Sequence, residues 1–198
     1  MAVFVAVIAL CVAFALYFVA PRIVGSMPGR LALLCGVFFL PLAAVGTGVE
    51  QAYRESSSTT FCLSCHEMGN HGRSMFIDDR TVLPAMHYQM RLVDRDHACF
   101  ECHTNYTMFG DVEAKLDGLK HVWVHYLGEV PETFELYQPY PNSNCLHCHD
   151  DGRSYLEMPA HAGHFEAMAS GEESCLSCHK AGHALDLVEE GQFWLPAN

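Results

Sequence analysis

The chain has 198 residues, of which 51% are hydrophobic and 17% are charged, and its formal net charge at pH 7 is −12. This acidic balance argues against nucleic acid as a partner, and a soluble partner is expected to offer a basic patch or an apolar surface. The 10 cysteines and 13 histidines are many for a chain of this length, and their spacing carries most of the functional information.

Two apolar runs, residues 2–20 and 31–49, open the chain. At about 1.5 Å per residue each would span about 28 Å, close to the hydrocarbon thickness of a bilayer. The first run could instead be a cleaved signal peptide, but it has no basic segment before it and a poor cleavage site. We therefore expect residues 1–50 to form a membrane anchor of two transmembrane helices.

The loop between these runs carries Arg22 and Arg30. The positive-inside rule places this loop in the cytoplasm, which leaves both termini in the periplasm. Residues 50–60 are polar and rich in serine and threonine, which predicts a linker. Residues 51–198 are then expected to form one periplasmic domain.

The sequence Cys-x-x-Cys-His occurs four times after the linker. This spacing is the attachment signature of c-type haem, because two thiols bond the porphyrin and the adjacent histidine lies under the iron. Disulfides or a zinc site are the alternatives, but zinc geometry does not require a histidine after each pair. We predict four covalently bound haem c groups, attached by Cys62, Cys65, Cys99, Cys102, Cys145, Cys148, Cys175 and Cys178.

Covalent haem attachment of this kind takes place outside the cytoplasm, which agrees with the topology predicted from the arginines. The two remaining cysteines, Cys11 and Cys35, lie in the apolar runs and are interpreted as small hydrophobic residues. A domain this small cannot enclose four haems with an ordinary apolar core. The expected fold class is all-α and irregular: a transmembrane helical hairpin, followed by short helices and loops wrapped around four haems.

Residues 111–127 show the clearest helical periodicity in the haem domain, and Asp111 after Gly110 is a plausible start. One face is apolar and aromatic, and the other aligns Asp117, His121 and His125. Such a helix could lie on the membrane surface and face a haem, or simply pack on the haem domain. Both interpretations stay open.

The anchor, the linker and the four motifs together resemble the NapC/NirT family of tetrahaem quinol dehydrogenases, which includes NrfH-type subunits. The first motif reads Cys-x-x-Cys-His-Glu-Met, residues 115–121 are similar to a stretch in NrfH-type subunits, and residues 178–183 read Cys-His-Lys-Ala-Gly-His. Most members of the family have one anchor helix, so the first apolar run is a departure from its pattern.

The motif histidines are the expected proximal iron ligands: His66, His103, His149 and His179. The resemblance suggests Met68 in place of His66 at haem 1, which would raise the reduction potential of that haem. It also implies distal ligands from outside the motifs: His87 for haem 4, His164 for haem 3 and His183 for haem 2. The nearest rivals of His87 and His164 are His97 and His161, respectively.

The sixth position of haem 1 stays open at this point. The resemblance implies a blocking carboxylate or a free site, with the quinol close by. Here His121 lies nearest the family's acidic position, with Asp117 one turn before it. His121 could be a sixth iron ligand, a proton acceptor or a histidine on the helix surface.

The resemblance implies that the protein takes electrons from membrane quinol and passes them to a periplasmic redox protein, which could be a multihaem nitrite reductase-type subunit. Quinol oxidation releases protons, and Lys115, Asp117 and His121 are the candidate catalytic groups. One alternative is a membrane-anchored electron wire, part of a larger complex, without its own quinol site. Another is an enzyme acting on a small molecule at haem 1, although the Cys-x-x-Cys-Lys motif of nitrite reductases is missing.

Overall fold

The computed structural model of the chain describes residues 2–131 and 136–195, and every regular element in these ranges is helical. The chain divides into two compact units, Met1–Ser57 and Ser58–Asn198. The expected all-α class is therefore confirmed for the described residues. Residues 132–135, within the connection predicted to be irregular, and residues 196–198 of the tail lie outside the described residues.

The first unit contains three α-helices, and α1 packs against the other two. They are α1 (Ala2–Ile23), α2 (Met27–Leu34) and α3 (Leu40–Ser56). A single π-helical turn, Cys35–Phe39, joins α2 to α3 without a break. Pro41 follows this turn and has no N–H to donate, so a wider turn before it lets the helix continue.

A short turn separates α1 from α2. The hydroxyl of Ser26 accepts a hydrogen bond from the backbone N–H of Gly29 at 3.3 Å, and Pro28 occupies the first turn, where its missing N–H costs nothing. The Arg30 side chain donates to the carbonyl of Val24 at 2.8 Å. This capping starts the second helix at Met27, four residues before the predicted apolar span.

The continuous segment Met27–Ser56, 30 residues long, is long and apolar enough to cross a membrane by length and composition. Ala6–Ala15 in α1 forms a shorter apolar helical stretch. Helix α3 extends to Ser56, into the polar segment of residues 50–60 that is predicted to be a linker. Side-chain pairs such as Glu50–Arg54 and Gln51–Glu55, both at 2.7 Å, support this extension. At about 45 Å, the segment exceeds the hydrocarbon thickness of a bilayer by several turns.

The second unit consists of short helices joined by turns, with one longer helix. Its α-helices are α4 (Thr59–Cys62), α5 (Gly69–Ser74), α6 (Leu83–Gln89), α7 (Ala98–His103), α8 (Gly110–Leu127), α9 (Asn142–His149), α10 (Arg153–Leu156), α11 (Phe165–Ser170) and α12 (Leu185–Glu189). The second and third motifs end α7 and α9. The first spans the end of α4 and a 3-10 turn, His66–Met68, and the fourth includes the 3-10 turn Cys175–Ser177.

The described residues of the second unit form only a small apolar core of their own. Its buried cluster comprises Ile77, Val82, Ala85 and Val188, with residues of the C-terminal segment packed against it. The backbone N–H of Trp194 donates to the carbonyl of Phe76 at 3.1 Å. The tail, in which the sequence showed little pattern, thus packs against residues 76–85 and completes this core.

The predicted helix of residues 111–127 is present as α8. It begins at Gly110, where a Cβ atom would lie 1.6 Å from the backbone oxygen of Asn105, so this close approach requires glycine. The apolar face of α8 is largely exposed: Leu116, Leu119 and Trp123 keep 61%, 63% and 65% of their surface accessible. The helix therefore does not bury this face against the described part of the second unit.

Candidate functional site

The cysteines of the four motifs form no disulfides, and several of them lie close to one another across motif boundaries. The thiols of Cys62 and Cys99 are within hydrogen-bonding reach, and so are those of Cys145 and Cys175. Cys102 lies close enough to Cys145 to influence its pKa. Thiols of the first and second motifs therefore lie close together, as do those of the third and fourth, and Cys102 of the second motif lies near Cys145 of the third.

Polar side chains form hydrogen bonds between the first and second motifs, the second and third, and the third and fourth. Thr59 accepts a hydrogen bond from the backbone N–H of Ala98 at 2.9 Å, which ties the first motif to the second. The Tyr140 hydroxyl, just before the third motif, donates to the carbonyl of Cys102 in the second.

Asn142 ties the third motif to the fourth. Its amide donates to the carbonyls of Met168 and Glu173 at 2.8 and 2.6 Å, and its oxygen accepts from the backbone N–H of Cys175 at 2.9 Å. Thr59 and Asn142 each stand three residues before the first cysteine of a motif. Sequence reasoning missed them, and this repeated polar position is the signal that could have found them.

Each motif histidine lies opposite a second histidine from elsewhere in the second unit. The ring centres are 6.0 to 6.3 Å apart in four pairs: His66 with His125, His103 with His183, His149 with His87, and His179 with His161. Two imidazoles on opposite sides of one iron would have ring centres about 6 Å apart, since the metal–nitrogen bond is about 2.0 Å and each ring centre lies about 1 Å further. The spacing fits a haem with two axial histidines at every motif.

The non-motif member of each pair also has its Nδ1 atom held by an acceptor. At 2.8 Å in every case, these contacts are His87 to the Leu83 carbonyl, His161 to the Tyr155 carbonyl, His183 to the Ser74 hydroxyl and His125 to the Glu67 carboxylate. A hydrogen bond at one ring nitrogen fixes the tautomer and leaves the other nitrogen for a metal. This is the arrangement expected of axial ligands.

A histidine must be neutral to bind a metal, and the surroundings of His183 favour that state. Burial lowers the pKa of His183 to about 4, with the nearby His71 and His103 adding to the effect. A metal held by protein side chains alone would need at least three His, Cys, Asp or Glu ligands close together. No such group is found in residues 2–131 and 136–195. Since a porphyrin supplies four nitrogens, two protein ligands suffice for its iron.

The observed pairs differ in part from those that the resemblance implied. His87 lies opposite His149 of the third motif, whereas it was expected to serve the fourth. His161, the rival of His164, is the histidine opposite His179. The His164 side chain is 51% exposed, and its Nδ1 atom contacts the Glu173 carboxylate at 2.6 Å. The expected assignment of His183 to the second motif stays a prediction, and the structure places its ring opposite His103.

The surroundings of the first motif combine two histidines and one carboxylate. The Oε1 atom of Glu67 lies 3.1 Å from Nε2 of His66 and 2.8 Å from Nδ1 of His125. A hydrogen bond from the backbone of Glu67 lowers the pKa of its carboxyl group, and the two histidines lower it further. Met68, the other candidate ligand, is half-buried in the turn that follows.

The candidate catalytic residues all lie on α8. The Nζ atom of Lys115 is 4.3 Å from the ring centre of Phe100, and its charge acts on the Cys62 thiol of the first motif. Burial lowers the pKa of Lys115, and the negative groups nearby oppose this shift.

The two other candidates differ in exposure. Asp117 is exposed, whereas His121 is half-buried, and its Nδ1 atom lies 3.2 Å from the hydroxyl of Tyr137. Burial lowers the pKa of His121, with Asp117 acting in the opposite direction. The structure thus brings Lys115 close to the first motif, and it places His125, rather than His121, opposite His66.

Comparison with known proteins gives a consistent family assignment. A family model described as "NapC/NirT cytochrome c family, N-terminal region" matches residues 27–187. The cytochrome c-type protein NapC of Escherichia coli (strain K12) is 27% identical over 191 residues, covering 82% of this chain and 88% of that protein. No solved structure matches the chain.

Two further relatives are more distant. NapC of Paracoccus pantotrophus is 24% identical over 164 residues, covering 74% of this chain and 64% of the relative. The cytochrome c-type protein TorC of Escherichia coli (strain K12) is 24% identical over 179 residues, covering 81% of this chain and 42% of TorC. Because the family model spans most of the chain and all four motifs, the protein is a membrane-associated c-type cytochrome of electron transport and belongs to the NapC/NirT cytochrome c family.

Proposed function

We propose that this cytochrome carries four haem c groups, takes electrons from membrane quinol and delivers them to a periplasmic redox protein. The observation that carries the proposal is the set of four histidine pairs, one at every motif, with ring centres 6.0 to 6.3 Å apart. Bound haem c supplies one-electron redox chemistry. The proximity of thiols from successive motifs supports an arrangement of the four attachment positions in a row from the first motif to the fourth.

The anchor places this row in the periplasm of a bacterium, at the cytoplasmic membrane. Met27–Ser56 is the membrane span, and α1 packs against it as the second helix of a hairpin. Arg30 lies in the first turn of α2, next to the turn between the helices, and this positive charge supports a cytoplasmic loop and periplasmic termini. The exposed apolar face of α8, which includes Leu116, Leu119 and Trp123, supports a position of that helix on the lipid surface, where quinol resides.

The quinol site is assigned to α8, next to the first motif. The ammonium group of Lys115 binds a quinol oxygen and stabilises the negative charge that develops as a proton leaves. Because burial lowers the pKa of His121 below its ordinary value, its imidazole is neutral at pH 7 and can accept that proton. Asp117, exposed one turn earlier, passes the proton to solvent.

The partner must bind an acidic protein, since the chain has a formal net charge of −12. We therefore assign it a basic docking patch, the complement that steers association between oppositely charged proteins. A multihaem nitrite reductase-type subunit or a reductase of another kind fits this description.

Single substitutions on α8 test the quinol site. In membranes supplied with a reduced quinol analogue, Lys115→Ala and Asp117→Asn should slow haem reduction about ten-fold or more, because each removes a group that acts on the departing proton. Lys120→Ala is the matched control, since Lys120 lies on the same helix with its Nζ atom over the Tyr137 ring at 3.6 Å. Dithionite should still reduce all haems in each variant. Unchanged quinol-dependent rates in Lys115→Ala and Asp117→Asn would remove both residues from the mechanism.

A second candidate function is an electron wire that anchors a larger membrane complex and has no quinol site. The packing of the additional helix α1 against the membrane span favours it, because a hairpin offers more surface to other membrane subunits. If the purified wild-type protein is not reduced by any quinol but is reduced rapidly by a membrane partner, this function replaces the first.

A further inference from the structure

We infer that His125 is the sixth ligand of the haem attached to the first motif, opposite His66, and that Glu67 holds it in place. The inference rests on haem attachment at the first motif but not on quinol oxidation. It gives the first haem the same two-histidine ligation as the other three, and neither Met68 nor His121 is then an iron ligand.

The distance between the two rings is the first argument. The ring centres of His66 and His125 are 6.1 Å apart, within the 6.0 to 6.3 Å found at the other three motifs. The planes of the two rings are inclined by 68°, and axial imidazoles are free to adopt any such angle about the axis through the iron. The separation of the two rings at the first motif therefore matches that at the other three, and here the Oε1 atom of Glu67 also lies 3.1 Å from Nε2 of His66.

The contact between Glu67 and His125 is the second argument. The Oε1 atom of Glu67 lies 2.8 Å from Nδ1 of His125, so the imidazole donates this N–H and leaves Nε2 as the ligating atom. Glu67 follows His66 directly in the sequence, and the pair thus links the motif to α8. The carboxylate makes the imidazole a stronger electron donor, which favours the ferric state of the iron.

The neighbours of His121 are the third argument. His121 lies one helical turn before His125 on the same face of α8, but its ring lies 4.6 Å from that of Tyr137, and its Nδ1 atom is 3.2 Å from the Tyr137 hydroxyl. His121 therefore contacts the segment before the third motif. Helix α8 thus carries both the proposed sixth ligand of the first haem and the groups proposed to accept quinol protons. Quinol would then transfer its electrons without binding to this iron.

Spectroscopy of the resting, oxidised protein tests this ligation without any quinol present. The wild type should show only low-spin haem by electron paramagnetic resonance, and its dithionite-reduced form should bind no carbon monoxide. In His125→Ala, one haem of four should become high-spin, and added imidazole should return it to low spin. His121→Ala and Met68→Leu are the controls and should keep the wild-type spectrum.

Two further variants keep the test decisive if His125→Ala loses haem. His125→Met retains an axial ligand, so it should stay low-spin, with a methionine charge-transfer band and a higher reduction potential for one haem. Glu67→Gln should leave all haems low-spin and raise the potential of one, because the imidazole loses its carboxylate partner. A high-spin haem in the wild type, or a His125→Met spectrum identical to the wild type, would overturn the assignment. Quinol-dependent reduction can fail or succeed independently of each of these spectra.

Discussion

At the residue scale, the histidines of the second unit differ in what holds their rings. His161 is half-buried with its Nδ1 atom against the Tyr155 carbonyl, and its ring centre is 6.3 Å from that of His179. His164, three residues later, is exposed and contacts the Glu173 carboxylate. Spacing along the chain could not separate the two, because both precede the fourth motif at a distance that a loop can span.

A pair of matched variants decides between these histidines. His161→Ala should convert one low-spin haem to high spin, because the iron loses one of its two imidazoles, whereas His164→Ala should leave the spectrum unchanged. Electron paramagnetic resonance of the oxidised protein measures both. The reverse result would support the assignment that the family resemblance implied for His164 as a ligand.

At the scale of elements, the short helices are held by polar braces rather than by apolar packing. Asn142 is 8% exposed and makes three hydrogen bonds that join α9 to the fourth motif. Helices of four to eight residues are not stable alone, so such contacts and the haems must fix their positions. These hydrogen bonds depend on single polar residues, so hydrophobic periodicity in the sequence does not reveal them.

Asn142→Ala should destabilise the second unit by about 3 kcal/mol, because two carbonyls and one N–H lose their partner in a buried position. Urea unfolding of the haem-loaded protein, followed by haem absorption, measures the change. Ser143→Ala is the matched control: Ser143 is the exposed neighbour on the same helix, and its loss should change the free energy of unfolding by less than about 0.5 kcal/mol. Equal midpoints for the two variants would show that Asn142 does not brace the motifs.

At the scale of the whole molecule, the two units obtain their stability from different sources. The first is helical over Ala2–Ile23 and Met27–Ser56, and the second of these segments is long and apolar enough for a bilayer to stabilise it without any cofactor. In the described part of the second unit, the buried apolar residues are a small cluster, Ile77, Val82, Ala85 and Val188, together with a few isolated residues. Its folding is therefore expected to depend on haem attachment, as in small metal-dependent domains.

Cells that cannot attach haem should produce a chain whose second unit is unfolded and whose membrane span is intact. Limited proteolysis of their membranes should degrade residues beyond position 58 and leave a membrane-protected fragment that contains Met27–Ser56. Membranes with normal haem attachment provide the control, since their second unit should resist the same protease. A resistant second unit without haem would show that the polypeptide core is sufficient.

The sequence by itself determined the chemistry of attachment, because each motif is local: two thiols and one histidine within five residues need no tertiary contact to be recognised. It also determined the apolar span and α8, whose periodicities extend over many residues. The tertiary structure alone decided which other histidine faces which motif histidine, because those partners lie 18 to 80 residues apart in the chain and loops allow several pairings. It also decided that α3 continues to Ser56 and that the C-terminal segment packs on residues 76–85, since both depend on contacts that spacing does not encode.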